Sequence, residues 1–279
     1  MTAPRRFRRA RWLTALAVGA SLFGVAREPR AAAGRAFVVL REFGVGTPAR
    51  AQPYLDQLLA AVAKQAQWPK VSGRYFAERQ PALDYIQKEK PEFGIFSLAA
   101  FVSMKSQLSL AVVGEVQAPK AGGTQYYVVG KNVGALEACT GHRVATTFAA
   151  DAKFIDRVVA RGAFKLADFT LVEAHRPLEP LKLVLRGEAE CALIDDAQLE
   201  ASHHIEQGGE LKPVWHSAEL PGMAVVAFPR ADAAAVAAFK KTLGGLCTDA
   251  REACATVGIE RIRPAGDDRY RAALDAYAK

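Results

Sequence analysis

Strand-like and helix-like segments alternate along nearly the whole chain, and this alternation restricts the fold more than any other feature. Short runs rich in Val, Ile and Phe read as strands at residues 36–43, 71–77, 93–96, 108–116, 125–129, 142–146, 169–174, 191–194, 212–216 and 223–228. Helical spacing falls between them. Leu55, Leu58, Leu59 and Val62 mark one stripe within 53–67, and further helices are predicted at 81–90, 151–163, 177–187, 232–246, 251–257 and 267–277. Such an order implies parallel α/β sheets with right-handed crossovers. Pro119, Gly122 and Gly123 make a strong break, and residues 206–210 form a polar stretch. Together they bracket a middle block, 121–214, with its own strand–helix set. The flanking segments 36–120 and 215–279 would then join as one lobe, and the backbone would pass twice between two lobes, a hinge arrangement.

The first residues carry a different message. Arg5, Arg6, Arg8, Arg9 and Arg11 precede an apolar run, 12–26, and then the small-residue stretch 31–36. That order is the secretory signal pattern, so residues 1–35 are expected to be removed on export. The apolar run is about 15 residues, short of the roughly 20 a bilayer-spanning helix needs. No Cys lies near it, so no lipid anchor is expected there. Residues 1–33 hold seven Arg and one Glu of a net +8, so their loss leaves about +2. The remainder has no block of Lys and Arg interleaved with aromatics, and nucleic acid is set aside as a partner. No later apolar stretch reaches membrane-spanning length. The expected mature protein is a periplasmic monomer of about 245 residues, enough to bury a sizeable core.

Enzyme signatures are weak. Gly44-Val45-Gly46-Thr47-Pro48-Ala49 fits a dinucleotide fingerprint after a strand, but the acid expected about 20 residues on is missing, Glu78 lying too far away. There is no GxSxG, HExxH or GxxxxGK[ST] pattern. His203 and His204 are adjacent and would point apart on a helix; His142, His175 and His216 are scattered. No catalytic residue, metal or cofactor is expected. Tyr126, Tyr127 and Trp215 fall near the two crossings and are assigned to hinge packing.

Several segments, taken in order, have a family look. Residues 183–199 (LVLRGEAECALIDDAQL) resemble the helix, glycine, small-apolar strand and Asp segment of periplasmic substrate-binding proteins of the type II fold, in particular the phosphonate/phosphite-binding group of ABC transporters. Residues 93–102 (FGIFSLAAFV) are similar to that group's strand-and-loop segment in the first lobe. Residues 126–147 resemble its hinge strand, short connection and next strand, and 215–229 its return to the first lobe. The resemblance implies two doubly wound sheets joined by a double-crossing hinge. It also implies a non-enzymatic receptor that closes on a small polar ligand, such as a phosphonate or phosphite oxyanion, and presents it to an ABC permease. The same fold serving a sensor protein is the alternative.

In open α/β sheets, ligands bind beyond the carboxyl ends of the strands. That rule selects Thr47, Ser97, Thr146, Thr147, Phe148, Asp195 and Asp196 as candidate ligand residues. Hydroxyls and helix amino ends favour an anion; the two carboxylates favour a cation or hydroxyl, or cap the helix that follows. In that family Ser and Thr open the helix after the strand ending at Thr147, whereas this chain has Phe148-Ala149-Ala150. The four cysteines, Cys139, Cys191, Cys247 and Cys254, allow three pairings. With strand order 2-1-3 in the second lobe, Cys139 and Cys191 fall at the same end of neighbouring strands. The expected bridges are Cys139–Cys191 and Cys247–Cys254, against the alternative of four buried thiols.

Overall fold

The computed structural model describes residue 2 and residues 34–42, 47–119 and 122–279, and among these eleven strands form two mixed sheets. The export signal, and Gly44 and Gly46 of the glycine fingerprint, lie outside the described residues. In chain order the strands are β1 (Arg35–Leu40), β2 (Val71–Phe76), β3 (Phe93–Phe96), β4 (Ala111–Gln117), β5 (Tyr126–Gly130), β6 (Arg143–Thr146), β7 (Thr170–Glu173), β8 (Cys191–Asp195), β9 (Lys212–His216), β10 (Met223–Ala227) and β11 (Arg261–Pro264). The helices are α1 (Pro48–Ala66), α2 (Arg79–Glu89), α3 (Leu98–Leu108), α4 (Ala152–Phe154), α5 (Glu179–Leu185), α6 (Asp196–Ser202), α7 (Ala233–Thr242), α8 (Leu246–Asp249), α9 (Arg251–Thr256) and α10 (Arg271–Ala278).

The first sheet runs β11-β4-β10-β3-β1-β2 and the second β7-β6-β8-β5-β9. Each contains the 2-1-3 order of a doubly wound unit: β1 lies parallel between β2 and β3, and β6 parallel between β7 and β8. The sheets are not purely parallel, however. β10 is antiparallel to β3 and β4, and β5 is antiparallel to β8 and β9. These reversed strands carry the chain from one sheet to the other. β4 leads out and β10 leads back beside it; β5 and β9 receive and return the chain on the other side.

Two elements escaped the sequence reading. Residues 98–108, expected as a loop, form α3. Leu98, Ala99, Ala100, Phe101, Val102 and Met104 are all buried, and first turns that are apolar on every side show no stripe for periodicity to detect. β11 is four residues long, pairs only with β4, and buries little beyond Ile262. The helix expected at 151–163 is shorter and irregular, with α4 continuing through a wider turn, Ile155–Val159. In contrast, α1 begins earlier than expected. Thr47 caps it and Pro48 occupies its first turn, where a missing N–H removes no helical bond. Leu55, Leu58, Leu59 and Val62 are its buried face.

The two connections between sheets are stitched together. Leu220 N–H donates to the Thr124 carbonyl (2.8 Å) and Ser217 N–H to that of Tyr126 (2.8 Å). The Ser217 hydroxyl in turn accepts from Tyr126 N–H (3.0 Å). Glu115 at the end of β4 is buried; it accepts from Gly222 N–H and is paired with Arg263 and Arg269. Glycine is required at 222, where a Cβ would lie 2.1 Å from the Val116 carbonyl oxygen. Both cysteine pairs are joined: Cys139 to Cys191, separated by 52 positions, and Cys247 to Cys254, separated by 7. Among the described residues no helix is long and apolar enough to cross a membrane.

Candidate functional site

A cleft opens where the carboxyl ends of β1, β3, β6 and β8 face one another, with both connections as its floor. It is a hollow of about 560 Å³, its open mouth included. From the first sheet come Arg41 and Glu42 after β1, and Ser97, Leu98 and Ala99 where β3 turns into α3. The second sheet contributes Tyr126, Phe148, Asp151, Phe154 and Asp195. Gly122, Gly123, Thr124, Gly222 and Met223 belong to the connections and their ends.

The start of α3 is built for an anion. Ser97 occupies the position before the first turn, yet its side chain makes no capping bond. Its hydroxyl oxygen is buried and has no hydrogen-bond partner. A buried hydroxyl without a partner carries a desolvation penalty of about 1–3 kcal/mol, which a ligand oxygen would relieve. The first N–H groups of a helix also lack intrahelical partners and sit at its positive end. Leu98 and Ala99, whose N–H groups belong to that first turn, line the cleft beside Ser97.

The carboxylates of the cleft are either paired with an arginine or buried. Arg79 of α2 binds Glu42 through both nitrogens, at 3.0 and 2.7 Å. The same guanidinium reaches Asp151 across the cleft at 3.1 Å. Burial raises the Glu42 pKa, and the Arg79 hydrogen bond only partly offsets it. Asp195 is 7 % exposed, and burial, aided by Asp196, pushes its pKa up to about 7, against the opposing pull of the Gln198 and Ala197 N–H groups and Arg41. Below that pH its carboxyl is neutral and offers an O–H. Burial also keeps the Tyr126 phenol protonated.

The structure sorts the sequence candidates. Ser97, Phe148 and Asp195 line one cleft. Thr47 is an exposed helix cap, its hydroxyl accepting from Arg50 N–H at 3.4 Å. Thr146 donates to the Leu193 carbonyl and accepts from Phe148 N–H, bracing β6 against β8. The Thr147 hydroxyl is buried without a partner but is not in the cleft lining. Asp196 binds the N–H and hydroxyl of Thr124, steadying the first connection. Asp195 also caps α6 through Gln198 N–H at 2.9 Å. Trp215 packs edge-on against Phe164, away from the ligand space. The residues that sequence reasoning missed are Arg41, Glu42, Arg79 and Asp151. Extending β1 to residue 43 hid the first two inside a strand; two charged residues ending a fully apolar run were the available signal.

Arg79 is on α2 and Asp151 follows β6, so their ion pair bridges the two sheets across the cleft. Replacing Arg79 with Met should lower ligand affinity about tenfold, from a pair worth about 1 kcal/mol plus the repulsion between the Glu42 and Asp151 carboxylates it leaves behind. X-ray scattering should show a larger radius of gyration for the unliganded variant. Unchanged scattering and affinity would remove this latch from the account.

A family model described as "ABC transporter, phosphonate, periplasmic substrate-binding protein" matches residues 47–270. No curated protein sequence matches the chain. Solved structures share its fold at low identity. A Xanthomonas citri protein bound to ATP aligns with TM-score 0.68 and 11% identity, covering 88% of this chain and 96% of that one. PhnD1 from Prochlorococcus marinus in complex with methylphosphonate aligns with TM-score 0.64 and 10% identity, covering 87% and 96%. The aliphatic sulphonate binding protein SsuA from Escherichia coli gives TM-score 0.54 and 14% identity, covering 88% and 86%.

Proposed function

The chain belongs to the phosphonate family of periplasmic substrate-binding proteins of ABC transporters, and we propose that it captures a phosphonate-class oxyanion in the cleft between its two sheets. The family serves transport rather than catalysis. In this reading the protein is exported, loses residues 1–35, remains a periplasmic monomer without a lipid anchor, and hands its ligand to an ABC permease. It performs no chemistry on the ligand.

The observation that carries the reading is the buried, unpartnered Ser97 hydroxyl at the amino end of α3. An oxyanion seated there receives that hydroxyl and the N–H groups of Leu98 and Ala99, with the Arg41 guanidinium in the same lining. Neutral Asp195 donates from the opposite sheet, so the ligand bridges both halves. Binding that is tighter in the closed state draws the equilibrium toward closure. Arg79 binds both Glu42 and Asp151 and offsets part of their charge.

Purified mature protein should be protected against heat by methylphosphonate, following RT ln(1 + [L]/Kd), or about 2.7 kcal/mol at a hundredfold excess over Kd. Ser97→Ala should weaken binding by about tenfold, the loss of one hydrogen bond to a charged group. Titration calorimetry with methylphosphonate, phosphate, an alkanesulfonate and an amine distinguishes ligand classes. Binding of the amine alone would reverse the assigned charge preference.

A further inference from the structure

A second hollow lies behind the cleft, beneath α1. Leu55 and Leu58 of α1, Val39 of β1, Ile95 of β3 and Ala253 of α9 supply its walls. The lining is almost wholly apolar. Two residues, Arg41 and Met223, line both this chamber and the polar cleft. The two spaces therefore meet at a charged group with hydrocarbon beyond it. Protein interiors hold few voids of this kind, because unfilled space forfeits packing contacts.

We infer that the chamber beneath α1 receives the hydrocarbon substituent of the ligand, so that the protein selects alkyl-bearing oxyanions over bare phosphate or phosphite. This rests on the oxyanion reading of the cleft. The oxyanion sits at the start of α3 and beside Arg41; the carbon chain passes Met223 and enters the chamber. Arg41 marks the boundary, its charge toward the head group and its methylene stem along the apolar wall, as long basic side chains commonly lie. The second sheet offers a competing apolar surface, Phe148 and Phe154 beside Tyr126. The chamber is favoured because seven different elements line it, whereas those rings already pack against one another.

The test is calorimetric titration of the mature protein with methyl-, butyl-, hexyl- and octylphosphonate. Each added methylene should tighten binding, by up to about fourfold, until the chamber is full. Ala253→Met, which fills the chamber from α9, should abolish the gain with chain length and leave methylphosphonate affinity unchanged. Ala51→Leu, at the chamber rim on α1, repeats the test should the first variant fold poorly. Equal affinity across the series would overturn the inference and leave the cleft assignment standing. A gain that persists in both filled variants would also overturn it, placing the chain against Phe148 and Phe154. No binding of any phosphonate would overturn both readings together.

Discussion

Asp195→Asn is expected to be more stable than the parent protein at pH 8, by up to about 4 kcal/mol, and to lose that advantage near pH 4. The carboxyl is buried and its pKa stands at about 7, against an ordinary value of 3.8. Each pKa unit corresponds to about 1.36 kcal/mol. Between those values the folded protein holds a proton that the unfolded chain has released. Stability from this group is therefore complete below about pH 4, falls as pH rises, and is fully lost above about pH 7. Asn is neutral throughout and caps a helix as well as Asp does, so the bond to Gln198 N–H is replaced in kind. Urea unfolding at pH 4.5 and pH 8 measures the effect. Parallel pH profiles for parent and variant would show that Asp195 is ionised across the range. Besides burial, the groups acting on it are the Gln198 and Ala197 N–H groups, Asp196 and Arg41. On the proposed oxyanion reading, the same proton also bears on ligand binding. An oxyanion in the cleft requires neutral Asp195, so its affinity should fall toward tenfold per pH unit above pH 7 in the parent protein and stay flat in Asp195→Asn.

Removing the Cys139–Cys191 bridge by substituting both residues with Ala should lower stability by about 4 kcal/mol. The closed loop spans 52 positions, and loop-closure entropy of that size corresponds to about 4 kcal/mol in the chain-entropy model. Both cysteines are wholly buried, so Ala avoids burying a new polar group. Cys247–Cys254 closes a loop of only 7 positions and should contribute about 2 kcal/mol on the same basis. Denaturant titration of each double variant, with and without reductant, separates the two. Equal losses for the two bridges would argue against unfolded-chain entropy as the main cause. The long bridge also has a local role. It ties the turn before β6 to the first residue of β8, pinning the strands whose other ends present Phe148 and Asp195.

Much of the architecture was legible because hydrophobic periodicity and turn residues are local. The strand–helix alternation follows from short Val- and Ile-rich runs separated by amphipathic helices such as α1, and the doubly wound order of the two units, implied by the family resemblance, is what the sheets show. The failures have equally plain causes. The first turns of α3 are buried all round, so its helical period carries little contrast. β11 gains its pairing only from β4, 144 positions away at Arg261 and Gln117. The site was legible at the level of loops, since strand ends can be counted along the chain. It was not legible at the level of side chains. Thr146, Thr147 and Ser97 look alike in sequence, yet one braces two strands, one is buried outside the cleft, and one belongs to the cleft lining with a buried hydroxyl that has no partner.

From its residues alone, then, this chain carries its export pattern, its doubly wound units, its break points and the strand ends where a ligand would be met, because each depends on residues near in sequence. The tertiary structure alone decided that Arg79 would reach from α2 to both Glu42 and Asp151, that Asp195 would be buried deeply enough to keep its proton near neutrality, and that an apolar chamber would adjoin the cleft at Arg41. Those outcomes arise from contacts between distant segments. Burial and charge pairing in three dimensions set them, and no local pattern encodes either.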